Sequence, residues 1–301
     1  MDAIFLTSGD VIIDRRFEWA RDLEAKGDLA GAADLLAQTV EISPGYAAAW
    51  FALGDLRQKL GENTGAILAF EQAKAIDPED RHGASLRLTR LGAAQVAMPD
   101  GYVRTLFDGY ALTFDAALRT GLDYKAPELM LAAVRTARPE MTFGNALDLG
   151  CGTGLGGAAF KPFCKALTGV DLSPAMVTQA RAKHIYDRLT EGEVVAFLNA
   201  EAASHYDLVM AADLFGYFDD LAPALAATAR MLAPGGLIVF SAETHDGDGV
   251  ILRDTLRYAH SPTHVGAALS AAGLQLVSLD FATARSEKGV PVPGLVGVAR
   301  R

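Results

Sequence analysis

Ala146-Leu-Asp-Leu-Gly-Cys-Gly-Thr-Gly-Leu-Gly-Gly157 is the stretch that decides the fold, because an apolar run ends there in glycines at 150, 152, 154, 156 and 157. Each glycine inside a regular element costs roughly 0.5–1 kcal/mol against alanine, so the cluster needs a physical reason. A flexible turn is one reason. Close approach of a ligand to the backbone is the other. The surroundings favour the second: a strand is expected near 145–149 and a helix near 155–162, so the glycines sit where a strand hands over to a helix amino terminus.

The next strand, near 166–170, ends in Asp171, 19 residues beyond Gly152. A carboxylate at that place accepts hydrogen bonds from both hydroxyls of a ribose. Ser173 and Pro174 follow as an N-cap with proline at the first helical position. A nucleoside ligand fits this arrangement. Gly152, Gly154 and Gly157 also match the spaced glycines of dinucleotide binding, a weak signal alone. Asp148 weighs against that match, since a carboxylate at the strand end repels a pyrophosphate but suits a cationic amine.

Outward from there, β-rich runs near 194–198, 206–211, 237–241, 274–280 and 294–299 alternate with helical runs near 174–186, 221–231 and 262–272. This alternation predicts an α/β fold, a doubly wound seven-stranded sheet covered on both faces, with ligands beyond the carboxyl ends of the strands. Upstream, residues 102–136 hold further helical stretches. Residues 14–95 are helical throughout, broken at Gly27-Asp28 and Gly61-Glu62-Asn63.

A period of 34 residues runs through that helical part: it relates Pro44 to Pro78, Ala32 to Ala66 and Leu36 to Phe70. The second unit, with Trp50, Leu53, Gly54, Ala66, Phe70, Ala73 and Pro78, resembles a tetratricopeptide repeat, and the first is a weaker copy with Ala20 at the small position. Leu86, Leu88 and Leu91 suggest one capping helix. Two repeats are fewer than the usual minimum of about three, so the array is expected to pack on the rest of the chain, a second copy or a protein partner. The expected domains are 1–96, all-α repeats, and 97–301, the α/β domain with a helical lid at 102–136.

Composition sets outer limits. The chain has 301 residues, a net charge of −10 and 50% hydrophobic residues, an ordinary globular balance. The acidic charge argues against a nucleic-acid partner. There is no apolar run long enough for a membrane span, and the first residues do not resemble a secretory signal. With two cysteines only, Cys151 and Cys164, a disulfide framework is not expected and a reducing cytoplasm is. No metal-ligand spacing is present.

Four motifs carry a family resemblance: LDLGCGTG (147–154), GVDLSPAMV (169–177), YDLVMAADLF (206–215) and LAPGGLIVFS (232–241). In this order they resemble class I S-adenosylmethionine-dependent methyltransferases. FDGYALTFDAALRTGLDYKAPEL (107–129), joined to tetratricopeptide repeats, resembles a bacterial group of predicted methyltransferases. The resemblance implies S-adenosyl-L-methionine as cofactor. Asp148 with the Gly150, Cys151 and Gly152 backbone would hold its methionine part, Asp171 its ribose, and Leu172 and Met176 its adenine. Relatives place an acidic residue after the third strand on the adenine amine; Asn199, Ala200 and Glu201 occupy that region here. Cys151 is a small filler, not a nucleophile.

Methyl transfer from a sulfonium needs orientation and exclusion of water, and a base only for a protonated acceptor. The acceptor pocket is expected from loops at the carboxyl edge: Asp213, Phe215, Tyr217 and Phe218, then Glu243, then Arg257, Tyr258 and His260. His260 is the expected base and Tyr258 the alternative polar group. Tyr110 and Phe114 either belong to a helix core or, as the resemblance implies, line the lid. AADLF lacks the Asn/Asp-Pro-Pro-Tyr that relatives use on nucleobase nitrogens, which favours an O, N or S acceptor on a small molecule. A cofactor-binding scaffold, a methyltransferase whose repeats recruit a protein, and a nicotinamide oxidoreductase are the competing expectations.

Overall fold

The computed structural model describes residues 7–94, 97–287 and 289–301, so the expected domain edge at 96 lies outside the described residues. The chain divides into two compact units, with the boundary between Tyr102 and Val103.

The first unit is helical: α1 (Val11–Ala25), α2 (Leu29–Ile42), α3 (Ala47–Lys59), α4 (Asn63–Ile76) and α5 (Ala84–Arg90). Asp10 and Asp28 begin α1 and α2 by accepting hydrogen bonds from backbone N–H groups of the first turn. The small residues of the 34-residue period are buried where helices meet, among them Ala20, Ala32 and Ala66. Gly54 is small for a direct reason. A Cβ there would lie 2.6 Å from the Phe70 ring.

Helix α6 (Asp100–Tyr110) leads into the second unit, followed by the single turn α7 (Phe114–Ala116), a wide turn at Ala117–Gly121 and α8 (Ala126–Ala137). Then come β1 (Phe143–Leu149), α9 (Leu155–Phe160), β2 (Cys164–Asp171), α10 (Pro174–Ala182), β3 (Arg188–Glu191), α11 (Val194–Ala200) and β4 (Tyr206–Ala211). The chain continues through α12 (Ala222–Met231), β5 (Leu232–Glu243), the hairpin β6 (Val250–Leu252) and β7 (Tyr258–His260), α13 (Pro262–Ala271) and β8 (Gln275–Phe281). A small hairpin, β9 (Ser286–Glu287) and β10 (Val290–Pro291), precedes β11 (Gly294–Arg300).

The main sheet has seven strands in the order β3-β2-β1-β4-β5-β11-β8. The first five are parallel, and β11 runs antiparallel between β5 and β8. Alternate residues feed opposite cores: Leu147, Val209, Ile238 and Phe240 face one, and Ala146, Leu208, Met210 and Val239 the other. Strand order reverses between β1 and β4. In such sheets the crevice beyond the carboxyl ends of those two strands is where ligands bind.

The third strand differs from expectation. Residues 194–198 are helix, and the third strand is Arg188–Glu191. Glu193 makes the difference, its carboxylate accepting hydrogen bonds from the N–H groups of Val195 (2.8 Å) and Ala196 (2.7 Å) and so starting α11.

Candidate functional site

At the end of β1 the chain turns left-handed three times, at Gly150 (φ 62°), Gly152 (φ 53°) and Gly154 (φ 91°), before α9 begins. Only glycine takes that sequence of backbone conformations without strain. The Cys151 N–H donates to the Val170 carbonyl at 3.0 Å, and the Cys151 carbonyl accepts from Gly154 N–H at 2.8 Å. Its thiol is pushed well above the ordinary range by burial and then by Asp148. Cys151 is therefore an inert filler whose backbone shapes the loop. Beyond Gly152 the space is open: a Cβ there would meet only the Phe114 ring, at 3.8 Å.

Asp171 reaches this loop from β2. One carboxylate oxygen accepts from Gly152 N–H at 2.8 Å and the other from Ser173 N–H at 2.9 Å. Ser173 caps α10 by accepting from Met176 N–H at 3.0 Å. Asp148 is only 2% exposed. Its carboxylate accepts a hydrogen bond from the Tyr186 hydroxyl at 2.7 Å. Burial, against the Tyr186 bond that lowers it and with Asp171 adding repulsion, pushes its pKa up to about 7. Among the described residues no ion pair neutralises this carboxylate.

Tyr186 also explains glycines that a ligand does not. A Cβ at Gly154 would lie 3.0 Å from its ring and one at Gly169 2.9 Å, and one at Gly157 would collide with its hydroxyl. The cluster is thus divided. Gly152 faces open space, Gly150 makes room for Leu214, and Gly154, Gly157 and Gly169 make room for the tyrosine that orients Asp148.

The segment 104–125 covers this loop. The Arg104 guanidinium donates to the Leu172 carbonyl at 3.4 Å, and Asp108 accepts from the Ser173 hydroxyl at 2.5 Å. Asp115 accepts from the Thr153 hydroxyl and pairs with Lys183 at 2.6 Å. Phe107 packs edge-on against Phe114 (6.0 Å between centroids) and Tyr217 (5.3 Å). Tyr110 is not part of this wall. It is 53% exposed, and Phe107, one helical turn earlier, takes the place expected for it.

Beyond β4 and β5 stands a half-sealed polar cluster. Glu243 receives hydrogen bonds from Arg257 and from Arg285, the latter at 2.6 Å. Arg285 also pairs with Asp213 at 3.1 Å, and Arg257 donates to the Asp213 carbonyl at 3.1 Å and to the Tyr217 hydroxyl. The Arg257 guanidinium lies over the Tyr217 ring, 4.6 Å from its centroid. Burial alone would raise the Glu243 pKa, but the two guanidiniums outweigh it and hold the carboxyl below its ordinary value. Asp213 takes a left-handed conformation (φ 55°), steadied by its N–H donating to the Ser241 hydroxyl at 2.8 Å.

Several expected site residues lie elsewhere. His260 is 0% exposed. Its Nε2–H donates to the Phe215 carbonyl at 3.0 Å, and burial, opposed by that bond and aided by His264, lowers its pKa to about 4. It has no surface to offer an acceptor, so it is a strut, not a base. Tyr258 is buried too, and burial and then Asp219 raise its pKa to about 12. Phe215 is 1% exposed and packs on Phe240 within the core (5.1 Å), so it walls no pocket. Phe218, partly buried, packs on the same core. Met176 is 0% exposed, leaving only Leu172 of the expected adenine pair with accessible surface.

Asn199, Ala200 and Glu201 end α11 and lead toward the start of β4, at the sheet edge opposite the glycine loop. Glu201 pairs there with Arg188 at 2.8 Å. With the third strand at Arg188–Glu191, the acidic residues at and just after its end are Glu191 and Glu193. Tyr186, Phe107 and Arg285 complete the site without having been singled out in the sequence. Arg285 meets Glu243 across 42 residues, a pairing with no local signal.

A reversed-order, mostly parallel seven-stranded sheet with a glycine turn after β1 and a carboxylate after β2 is the architecture of class I S-adenosylmethionine-dependent methyltransferases. Comparison with known proteins agrees: residues 147–238 match the family model of a methyltransferase domain, and residues 23–88 that of a tetratricopeptide repeat. The chain thus carries an S-adenosylmethionine-dependent methyltransferase domain preceded by tetratricopeptide repeats.

Nodulation protein S of Sinorhizobium fredii is 30% identical over 104 residues, 32% of this chain and 46% of that protein. The chain spans less than half the length of the curated relatives it matches, 42% and 43% in two further cases. Two solved structures share the fold. The Burkholderia thailandensis 1,6-didemethyltoxoflavin-N1-methyltransferase, with bound 1,6-didemethyltoxoflavin and S-adenosylhomocysteine, superposes over 69% of this chain and 92% of its own, at 20% identity and TM-score 0.54. The [4+2]-cyclase SpnF covers 69% of this chain and 97% of its own, at 14% identity and TM-score 0.55.

Proposed function

We propose that the chain transfers a methyl group from S-adenosylmethionine to an O, N or S atom of a small molecule. The observation that carries this reading is Asp148: a buried carboxylate, unpaired with any cation among the described residues, beside a glycine turn that is open at Gly152. A ligand bearing positive charge supplies what that carboxylate lacks, and S-adenosylmethionine brings both an ammonium and a sulfonium. A dinucleotide would bring a pyrophosphate to the same place, where Asp148 repels it.

In this reading Asp148 and the Gly150–Gly152 turn hold the methionine end, and Asp171 holds the ribose through its remaining lone pairs. S-adenosylmethionine supplies the electrophilic methyl group. The residues of the chain orient and enclose. Phe107, Phe114 and Tyr217 form an apolar wall that keeps water out, and segment 102–136 acts as the lid. Asp213, Glu243, Arg257 and Arg285 shape the acceptor side. Their mutual pairing leaves Glu243 poorly suited as a base, so an acceptor that is already nucleophilic fits best.

The repeats leave Val11, Ile12, Trp19, Ile42 and Leu68 exposed, which supports a protein partner or a second copy there. No described helix is long and apolar enough to cross a membrane, and the two unbridged cysteines suit a reducing cytoplasm. The [4+2]-cyclase with the same fold favours keeping one other reading, a cofactor-binding protein that does not transfer the methyl group.

The test is production of S-adenosylhomocysteine by the full chain when fractionated small metabolites are added. Turnover that needs a particular fraction, and that falls at least tenfold in Arg257→Ala, supports the reading. Cofactor binding without turnover in any metabolite or protein fraction favours the non-transferring alternative.

A further inference from the structure

The motif Gly121-Leu-Asp-Tyr-Lys125 contributes to the family resemblance, yet nothing above gives it work. The structure fixes its place firmly. Lys125 N–H donates to the Ala284 carbonyl at 2.7 Å, and Ser286 N–H donates to the Leu122 carbonyl at 2.7 Å. These two bonds clamp residues 122–125 onto the segment that carries Arg285. Tyr124 lies in the middle of the clamp.

The charged groups whose fields reach Tyr124 are Asp213, Arg257, Asp148 and Arg285. Asp148 stands at the end of β1, and Asp213 just beyond the end of β4. Arg285, held by the clamp, pairs with Asp213 just beyond the end of β4 at 3.1 Å, so the clamp brings Tyr124 to the carboxyl edge of the sheet near the junction of β1 and β4, where strand order reverses and ligands are expected. Several other polar side chains of that neighbourhood already have partners. Tyr186 donates to Asp148, Tyr217 accepts from Arg257, and the two guanidiniums are shared between Asp213 and Glu243. The Tyr124 hydroxyl makes no hydrogen bond among the described residues, and the residue as a whole is half-buried.

We propose that the Tyr124 hydroxyl oxygen contacts the transferable methyl group at the β1–β4 junction and fixes its direction toward the acceptor. The inference rests on the methyltransferase reading and adds a residue to it. Carbon next to a sulfonium carries polarised C–H bonds, and an oxygen in reach of them makes weak C–H···O contacts. Burial and the nearby Asp213 carboxylate keep the hydroxyl protonated, so it offers lone pairs without becoming a competing nucleophile. The methyl group leaves sulfur, which keeps the bonding electron pair, and joins the acceptor atom. Tyr124 gives and takes no proton in that step.

The test needs no acceptor. Sinefungin carries an amine-bearing carbon where S-adenosylmethionine carries its methylated sulfur, and S-adenosylhomocysteine has neither methyl nor amine. Calorimetry of both ligands on the wild-type full chain and on Tyr124→Phe compares them directly. A hydroxyl facing the methyl position accepts a charged hydrogen bond from the sinefungin ammonium, so Tyr124→Phe weakens sinefungin tenfold or more. The affinity for S-adenosylhomocysteine changes less than about twofold. An unchanged ratio of the two affinities overturns the proposal, as does an equal loss of both, which would mark Tyr124 as mere packing. If wild-type protein binds neither ligand, the methyltransferase reading itself fails, and that result is distinct from either outcome in the variant.

Discussion

Replacing Asp148 by asparagine is expected to stabilise the free protein at alkaline pH while weakening its hold on the cofactor. Asp148 is 2% exposed, and its pKa stands at about 7 against an ordinary 3.8. Between those two values the folded state keeps a proton that the unfolded state has released. Unfolding free energy therefore falls as pH rises through this window, and the loss is complete above about pH 7. Three units at 1.36 kcal/mol each set a ceiling of about 4 kcal/mol. Asparagine has the same shape, still accepts from the Tyr186 hydroxyl and never ionises. The stability gained by Asp148→Asn should grow by about 2–3 kcal/mol from pH 5 to pH 8, several degrees in melting temperature for a unit of this size. The assay is thermal unfolding of both proteins across that range without ligand, followed by titration with S-adenosylhomocysteine at pH 8. Affinity should drop about tenfold or more, as for a lost charged hydrogen bond. A variant that is no more stable at pH 8 than at pH 5, relative to wild type, would refute the reasoning.

Three further expectations concern other parts of the molecule. Glu243→Gln leaves Arg257 and Arg285 facing each other without their shared carboxylate and should destabilise the second unit by about 3–5 kcal/mol, measured by urea unfolding. His260→Ala should destabilise the second unit by about 2–4 kcal/mol, through a cavity and the lost bond to Phe215, seen as a lower melting temperature. Once the acceptor is known, its pH–rate profile should keep the wild-type inflections, because His260 stays neutral above about pH 4. Gly54→Ala pushes a methyl group to 2.6 Å from the Phe70 ring and should cost the helical unit about 1–3 kcal/mol by overpacking, seen as an earlier melting transition.

What was legible in the sequence follows the range of the interactions involved. The strand–glycine–helix passage, Asp171 and the Ser173 cap depend on neighbours within 20 or so residues, and the structure joins them by short-range hydrogen bonds. The 34-residue register was legible because each repeat states the same packing twice. The third strand was not. Arg188–Glu191 is a short edge strand with one hydrogen-bonded neighbour and little burial, so it lacks apolar alternation. Val194–Leu198 is apolar and opens with two β-branched valines, yet Glu193 starts a helix there. Misplacing that strand carried the expected adenine contact to Asn199–Glu201, at the wrong edge of the sheet. Extending α10 to 186 likewise hid Tyr186, which leaves the helix at Ala182 and turns back onto three glycines. His260 has the residue type of a base, but only the β6–β7 hairpin shows that it is buried.

The most direct test of the central claim is calorimetry of the full chain with S-adenosylhomocysteine and, separately, with NAD. The site described here predicts binding of S-adenosylhomocysteine that weakens tenfold or more in Asp171→Ala, as expected for lost charged hydrogen bonds, and no comparable binding of NAD. NAD binding that depends on Asp171, with no response to S-adenosylhomocysteine, would contradict it.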